Sequence, residues 1–190
     1  MRADDPRLER GAPGQERYSF PSLVEGLLRG LGPRFTLETK KKLNAAGLNV
    51  DRLPPAIPSA EMTRHMELMA REAWPDEPRI EALRLLGVHL IRGWQNTLLG
   101  SATAKMLQLI GPHRTLKRLD RVFSTTNNFS RATTELVDDK VALVTINDVL
   151  GMPSYWQGIL EAGLELLGLE GTVTSESQEP PQGTFRLVWK

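Results

Sequence analysis

The stretch "RATTELVDDKVALVTI", residues 131–146, decides the fold. Thr, Val, Leu and Ile fill both of its halves, and runs of this kind bounded by turn residues read as strands. RATTELV and KVALVTI therefore form two strands joined around Asp138-Asp139, and the Asp-rich two-residue connection favours a hairpin over separated strands. Downstream, GTVTSES and GTFRLVW flank QEPPQ and read as a second hairpin. Phe185, Leu187 and Trp189 alternate with Arg186 and Val188, so the last strand turns one side to a core.

Between the hairpins lies "PSYWQGILEAGLELLG", residues 153–168, which has helical period. Ser154 and Gln157 have the spacing of a capping box. Trp156, Ile159, Leu160, Gly163, Leu164 and Leu167 form its apolar stripe, while Gln157, Glu161 and Glu165 face water. Gly158 and Gly163 each cost a helix about 1 kcal/mol relative to alanine. The expectation is that a sheet or a neighbouring helix approaches closely at both.

Upstream the text is helical. In residues 22–32 Ser22 and Glu25 fit a capping box, yet Gly26 and Gly30 weaken the segment and a buried strand over 24–31 is an alternative. Thr36 caps LETKKKLNAA, with Gly47 as its stop. Ser59 caps AEMTRHMELMAREAW, whose Met62, Met66, Met69 and Ala70 share a stripe. Pro78 opens the longest helix, about residues 78–99, with a face of Ile80, Leu83, Gly87, Leu90, Ile91, Trp94 and Leu98. Gly100-Ser101 breaks and recaps the chain into ATAKMLQLI, which stops at Gly111-Pro112 before the basic turn RTLKRLDRVF. Residues 1–18 mix charges with Gly and Pro and show no apolar period, the pattern of a disordered tail. Helices, hairpin, helix, hairpin make an α+β class: one domain, residues 19–190, with a four-stranded antiparallel sheet packed on helices.

Composition removes several functions. The net charge is +1 from 24 basic and 23 acidic side chains, which leaves no overall field for nucleic acid or anionic membrane. With no cysteine there is no disulfide, thiolate metal site or cysteine nucleophile, and a reducing compartment is expected. No signal-type apolar core and no run of roughly 20 apolar residues is present, so the expectation is a cytoplasmic protein without a membrane partner. His65, His89 and His113 lack metal-ligand spacing, and no Gly-x-Ser-x-Gly or phosphate-binding glycine loop occurs. No catalytic set, metal or cofactor is therefore assigned.

The remaining candidates are apolar, polar and basic. Trp94, Met106, Phe123 and Trp156 either fill the core or surround a ligand cavity where sheet and helices meet. Asn127-Asn128, between a helix and a strand, suit a turn or the mouth of such a pocket. Arg114, Lys117, Arg118 and Arg121 form a basic face for a protein partner, since Asp120 interrupts it and no stacking aromatics alternate with it as in nucleic-acid sites. The alternatives are an enzyme using His113 or the Asp138/Asp139 region, and a weak nucleic-acid binder through the 114–121 face.

Three stretches carry a resemblance: "GPHRTLKRLDRVFSTTNNFSRATTEL", "PSYWQGILEAGLELLGLEGTVT" and "LLGVHLIRGWQNTLLG". They resemble a paralogous family of unknown function expanded in myxobacteria, over residues 23–189. The element order is also similar to a superfamily of haem–nitric-oxide-binding sensors, vinyl-reductase type ligand-binding domains and small TRAPP tethering subunits. That resemblance implies a helical half, a four-stranded antiparallel sheet and an apolar pocket between them. A haem sensor of this kind would carry an axial histidine on a helix before the sheet and a Tyr-x-Ser-x-Arg motif on a strand. His113 stands at a suggestive place, but no such motif exists, and Tyr18 and Tyr155 are the only tyrosines. The acylated tethering subunits use a cysteine that this chain lacks. The implied function is a non-enzymatic regulatory or scaffolding module that binds a small apolar ligand, a protein partner or a second copy of itself.

Overall fold

Side-chain caps start two of the helices, at Thr36 and Thr97, in the computed structural model, which describes residues 16–190. The order is β1 (Tyr18–Ser19), α1 (Pro21–Leu31), a 3-10 turn (Gly32–Arg34), α2 (Leu37–Ala45), β2 (Ile57–Pro58), α3 (Ser59–Ala73) and α4 (Arg79–Trp94). There follow α5 (Leu98–Ile110), α6 (Pro112–Leu116), α7 (Leu119–Phe123), β3 (Ala132–Asp138), β4 (Val141–Ile146), α8 (Pro153–Leu166), β5 (Gly171–Glu179) and β6 (Gln182–Trp189). β1 and β2 pair as a short antiparallel ribbon. The larger sheet is antiparallel in the order β3-β4-β6-β5. Its register sets Val144 opposite Phe185 and Ala142 opposite Leu187, so both strands turn buried residues to the same side. The α+β class and both hairpins are as the period-2 pattern predicts.

Caps and breaks differ in places. Residues 24–31 are helical within α1, which starts at Pro21 rather than at a Ser22 cap; Ser22 Oγ donates to the Thr125 carbonyl instead. α8 also lacks the predicted Ser154–Gln157 box: Met152 is the cap residue, and Gln157 Nε2 donates to Glu161 and to the Val173 carbonyl. Pro78 and Pro58 stand just before their helices, and Ser59 makes no side-chain cap. Thr36 does cap α2, accepting from Thr39 N. The long helix ends at Trp94, and Thr97 caps α5 by accepting from Gly100 N. That reset takes Leu98 off the predicted face, where it is 91% exposed, and at the other end of α4 Ile80, in its first turn, is also exposed at 69%. The expected tail at 1–15 lies outside the described residues. Tyr18, assigned to that tail, pairs with Pro58, and Arg17 forms an ion pair with the buried Asp148.

α4 is the centre of the helical layer, packed between α1 and α8. Glycine permits both contacts. A Cβ on Gly158 would fall well inside 3.0 Å of the Arg84 carbonyl, and one on Gly87 equally close to the Tyr155 carbonyl. On the other side, Gly30 meets the His89 carbonyl and Gly93 meets α1 at Gly26 and Gly30. Arg84, held by Glu81 and Glu161, and Arg92, held by Glu165, further tie α4 to α8.

His65 of α3 is buried at 4% exposure, and its Nδ1 has no hydrogen-bond partner. Burial pushes its pKa below the ordinary histidine value, with Arg64 adding to the effect and Glu61 opposing it. The unfolded chain therefore binds this proton more readily than the folded one, and stability is lost as pH falls below about 6.5. The expected result is that His65→Gln loses less stability than the parent between pH 7 and pH 5, measured by urea unfolding. An unchanged difference between the two pH values would contradict it.

Candidate functional site

Phe123, the last residue of α7, borders two apolar chambers formed where α4, α6, α7 and α8 meet. Ile91, Trp94, Val122, Phe123 and Ile159 line both. The first chamber, a cavity of about 50 Å³, adds Met66, Leu90, Tyr155 and Trp156 to these. Phe123 meets Trp156 edge-on with ring centroids 5.1 Å apart, a favoured aromatic geometry. The second, also about 50 Å³, extends along α8 past Leu160, Gly163 and Leu164 toward Leu187 of β6.

The polar groups of the chambers divide sharply. In the second, Thr115 donates its hydroxyl to the Leu107 carbonyl. In the first, the hydroxyls of Thr125 and Thr126 donate to the carbonyls of Val122 and Phe123. Asn127 Oδ1 accepts from Phe129 N and Ser130 N, holding the turn that leads to β3. Ser130 Oγ and Trp156 Nε1 remain without a partner, although these residues are 0% and 3% exposed and both line this chamber. Unpaired buried donors are uncommon, and each costs roughly 1–3 kcal/mol of desolvation. Burial also pushes the Tyr155 phenol far above its ordinary pKa, so it stays protonated. No charged residue lines either chamber among the described residues.

Of the sequence candidates, Trp94, Phe123, Asn127 and Trp156 come together at the first chamber. Met106 does not: it is 47% exposed on α5 and lines neither chamber, because the Gln95–Thr97 turn rotates α5 away from the phase of α4. Asn128 binds the β1 region instead, accepting from Tyr18 N and donating to the Glu16 carbonyl. Arg114, Lys117, Arg118 and Arg121 are all exposed and have no ion-pair partner among the described residues. They are divided between α6, the following turn and α7 rather than sharing one continuous helix. His113 gives its Nε2 to a hydrogen bond with the Asp139 carbonyl, lies beside Trp189 and lines neither chamber. Ser130 went unrecognised in the sequence, since nothing in "STTNNFS" signals that one hydroxyl is sealed from water.

Residues 17–190 match the family described as protein of unknown function DUF2378. The chain belongs to the DUF2378 family. Comparison with curated proteins finds no match. Among solved structures, this DUF2378 chain is similar to the Tt H-NOX double mutant, at TM-score 0.70 and 14% identity over 90% of this chain and 95% of that one. It is also similar to an oxygen-binding H-NOX domain related to soluble guanylate cyclases, at TM-score 0.67 and 15% identity over 90% and 94%. A mutant H-NOX protein from K. algicida, in its unliganded Fe(II) form, gives TM-score 0.62 and 14% identity over 90% and 96%. The fold is therefore H-NOX-like.

The chambers of the DUF2378 chain do not suit a haem. Haem iron takes a histidine, thiolate, methionine-with-histidine or tyrosinate ligand. The chain has no cysteine, and His65, His89 and His113 line neither chamber. His89 is bound through Nδ1 to the Gly30 carbonyl at 2.7 Å. Met66 has no histidine to complete a pair at the chamber, and Tyr155 resists deprotonation. Nor does any cation line the space to receive propionates among the described residues. No group of three metal-ligating side chains occurs among those residues either.

Proposed function

We propose that this DUF2378 chain is a cytoplasmic, non-enzymatic regulatory or scaffolding module whose first chamber takes a small apolar ligand. The observation that carries the reading is an apolar space with two buried donors left unpaired, on a fold similar to ligand-binding H-NOX domains. A close-packed core interface would satisfy or exclude such donors. The position of His113, engaged with a backbone carbonyl and lining neither chamber, supports the non-enzymatic part.

The neutral fluorophore N-phenyl-1-naphthylamine tests this directly. Its emission is expected to rise on binding and to saturate at one site per chain. Trp94→Ala is expected to alter that affinity, because Trp94 lines both chambers. Absence of saturable binding to the folded parent would refute the reading.

A second role is supported by the exposed cations Arg114, Lys117, Arg118 and Arg121, which lack intramolecular partners among the described residues. They suit an acidic protein surface, and a second copy of this chain is the other candidate partner. Lys117→Glu with Arg118→Glu is expected to abolish salt-sensitive binding to polyglutamate while leaving the melting temperature unchanged. Binding of duplex DNA in preference to polyglutamate would turn this reading toward nucleic acid.

A further inference from the structure

Three large hydrophobic side chains stand exposed on one face of α5. Leu98 is 91%, Leu109 87% and Met106 47% exposed. At about 100° per residue, Leu98, Ala102, Lys105, Met106 and Leu109 fall within an arc of about 100°, and all five are exposed. Ala104 and Leu107 lie on the opposite side of the helix and are buried, while Gln108 on the flank donates to the Leu166 carbonyl of α8. The stripe is therefore the outward face of a docked helix, roughly 17 Å from end to end at ~1.5 Å per residue. The other exposed large hydrophobics among the described residues are scattered: Leu37, Ile80, Val137 and Val188 stand on four different elements. Single exposed hydrophobics need no explanation, but an aligned set marks a surface made to be covered.

The charge beside the stripe says what covers it. Residues 95–123 carry Lys105, Arg114, Lys117, Arg118 and Arg121 against one acidic residue, Asp120. All five cations are exposed and form no ion pair among the described residues. Lys105 stands within the stripe itself. The Thr115 hydroxyl donates to the Leu107 carbonyl, which folds α6 onto the last turns of α5 and brings the neighbouring Arg114 to the end that holds Leu109.

Resting on the basic-face reading above, we infer that α5 is the docking surface for an acidic amphipathic helix of a partner protein. The partner's apolar stripe covers Leu98, Met106 and Leu109, and its flanking carboxylates pair with Lys105 and Arg114. Apolar anchors at helical spacing beside complementary charge are a recurrent way of holding such a helix. A second copy suits this face poorly: α5 has no acidic residue, so laying α5 on α5 would set Lys105 among cations. A lipid surface suits it poorly as well, since Lys105 would be driven toward the acyl chains with the leucines that share its face.

The test is fluorescence anisotropy with a fluorescein-labelled helical peptide of about four turns, bearing leucine at spacings of three and four and glutamate elsewhere. Polyglutamate and the same peptide with lysine in place of glutamate are the comparison probes. The parent is expected to bind the leucine–glutamate peptide at least about tenfold more tightly than polyglutamate, and the lysine version not at all. Leu98→Gln with Leu109→Gln is expected to remove that advantage while leaving polyglutamate binding and the melting temperature unchanged, because both side chains face solvent and glutamine is a good helix former. Lys105→Glu is expected to weaken the leucine–glutamate peptide about fivefold. Equal affinity of the parent for the two acidic probes, or an advantage that survives the double leucine variant, would overturn the inference and leave the basic-face reading standing. Failure of both acidic probes to bind would overturn that reading too. Binding to phosphatidylglycerol vesicles without peptide binding, lost in the leucine variant, would overturn the inference in favour of a lipid surface. A concentration-dependent dimer lost in the same variant would overturn it in favour of a second copy.

Discussion

Gly158→Ala is expected to lower the melting temperature by roughly 10 °C, the equivalent of about 3 kcal/mol at this chain length. In an exposed helix the same change would stabilise by about 1 kcal/mol. Here the new methyl would overlap the Arg84 carbonyl, and a second close atom is Val88 N at 3.0 Å. Both are backbone, so no rotamer change can relieve the overlap and α8 must move away from α4. That movement would also loosen Arg84 from Glu161, paired at 2.5 Å. Gly163→Ala, five positions along the same helix, is expected to raise the melting temperature by roughly 3 °C, because its methyl enters open space and only the propensity gain remains. Thermal unfolding followed by circular dichroism checks both. Equal shifts in the two variants would show that the α4–α8 crossing is not held by backbone contact.

Phe185→Ala is expected to cost about 3–5 kcal/mol, read as a lower urea midpoint with an unchanged slope. Phe185 is 0% exposed, stands on a central strand between Val144 and Ser175, and is among the largest fully buried side chains. Neighbouring strands fix the backbone on both sides, so the site collapses poorly and the cavity persists. Val188, three residues on, is 39% exposed on the opposite side of β6, and Val188→Thr is expected to change stability by less than about 0.5 kcal/mol. A small effect at Phe185 would mean that the sheet packs on the helices far less tightly than its burial indicates.

The sheet was legible because a strand's two-residue period states which side of each residue faces inward, independent of distant context. Phe185, Leu187 and Trp189 declared their burial in this way. Helical phase is more fragile. It survives only while the helix is continuous, and the turn at Gln95–Thr97 interrupts it. Trp94, before the interruption, was assigned to the interior and lies there, whereas Met106, after it, points outward. Glycine is ambiguous for another reason: its spacing shows that a side chain is missing, not what occupies the room. Gly158 and Gly163 read alike in sequence, yet one admits a backbone and the other borders empty volume. Ser130 was opaque because its neighbours satisfy themselves locally through Asn127, leaving no sequence trace of its unpaired hydroxyl.

The glycine contacts on both flanks of α4 have a mechanical consequence. Interfaces made of long side chains yield under load, since rotamers shift before backbones do. Where α1, α4 and α8 touch main chain to main chain, that compliance is missing, and the three helices behave as a stiff spine. α5, by contrast, packs chiefly on the short α6 and presents Leu98, Met106 and Leu109 to solvent. The less tightly packed flank formed by α5, α6 and α7 also carries the exposed Arg114, Lys117, Arg118 and Arg121.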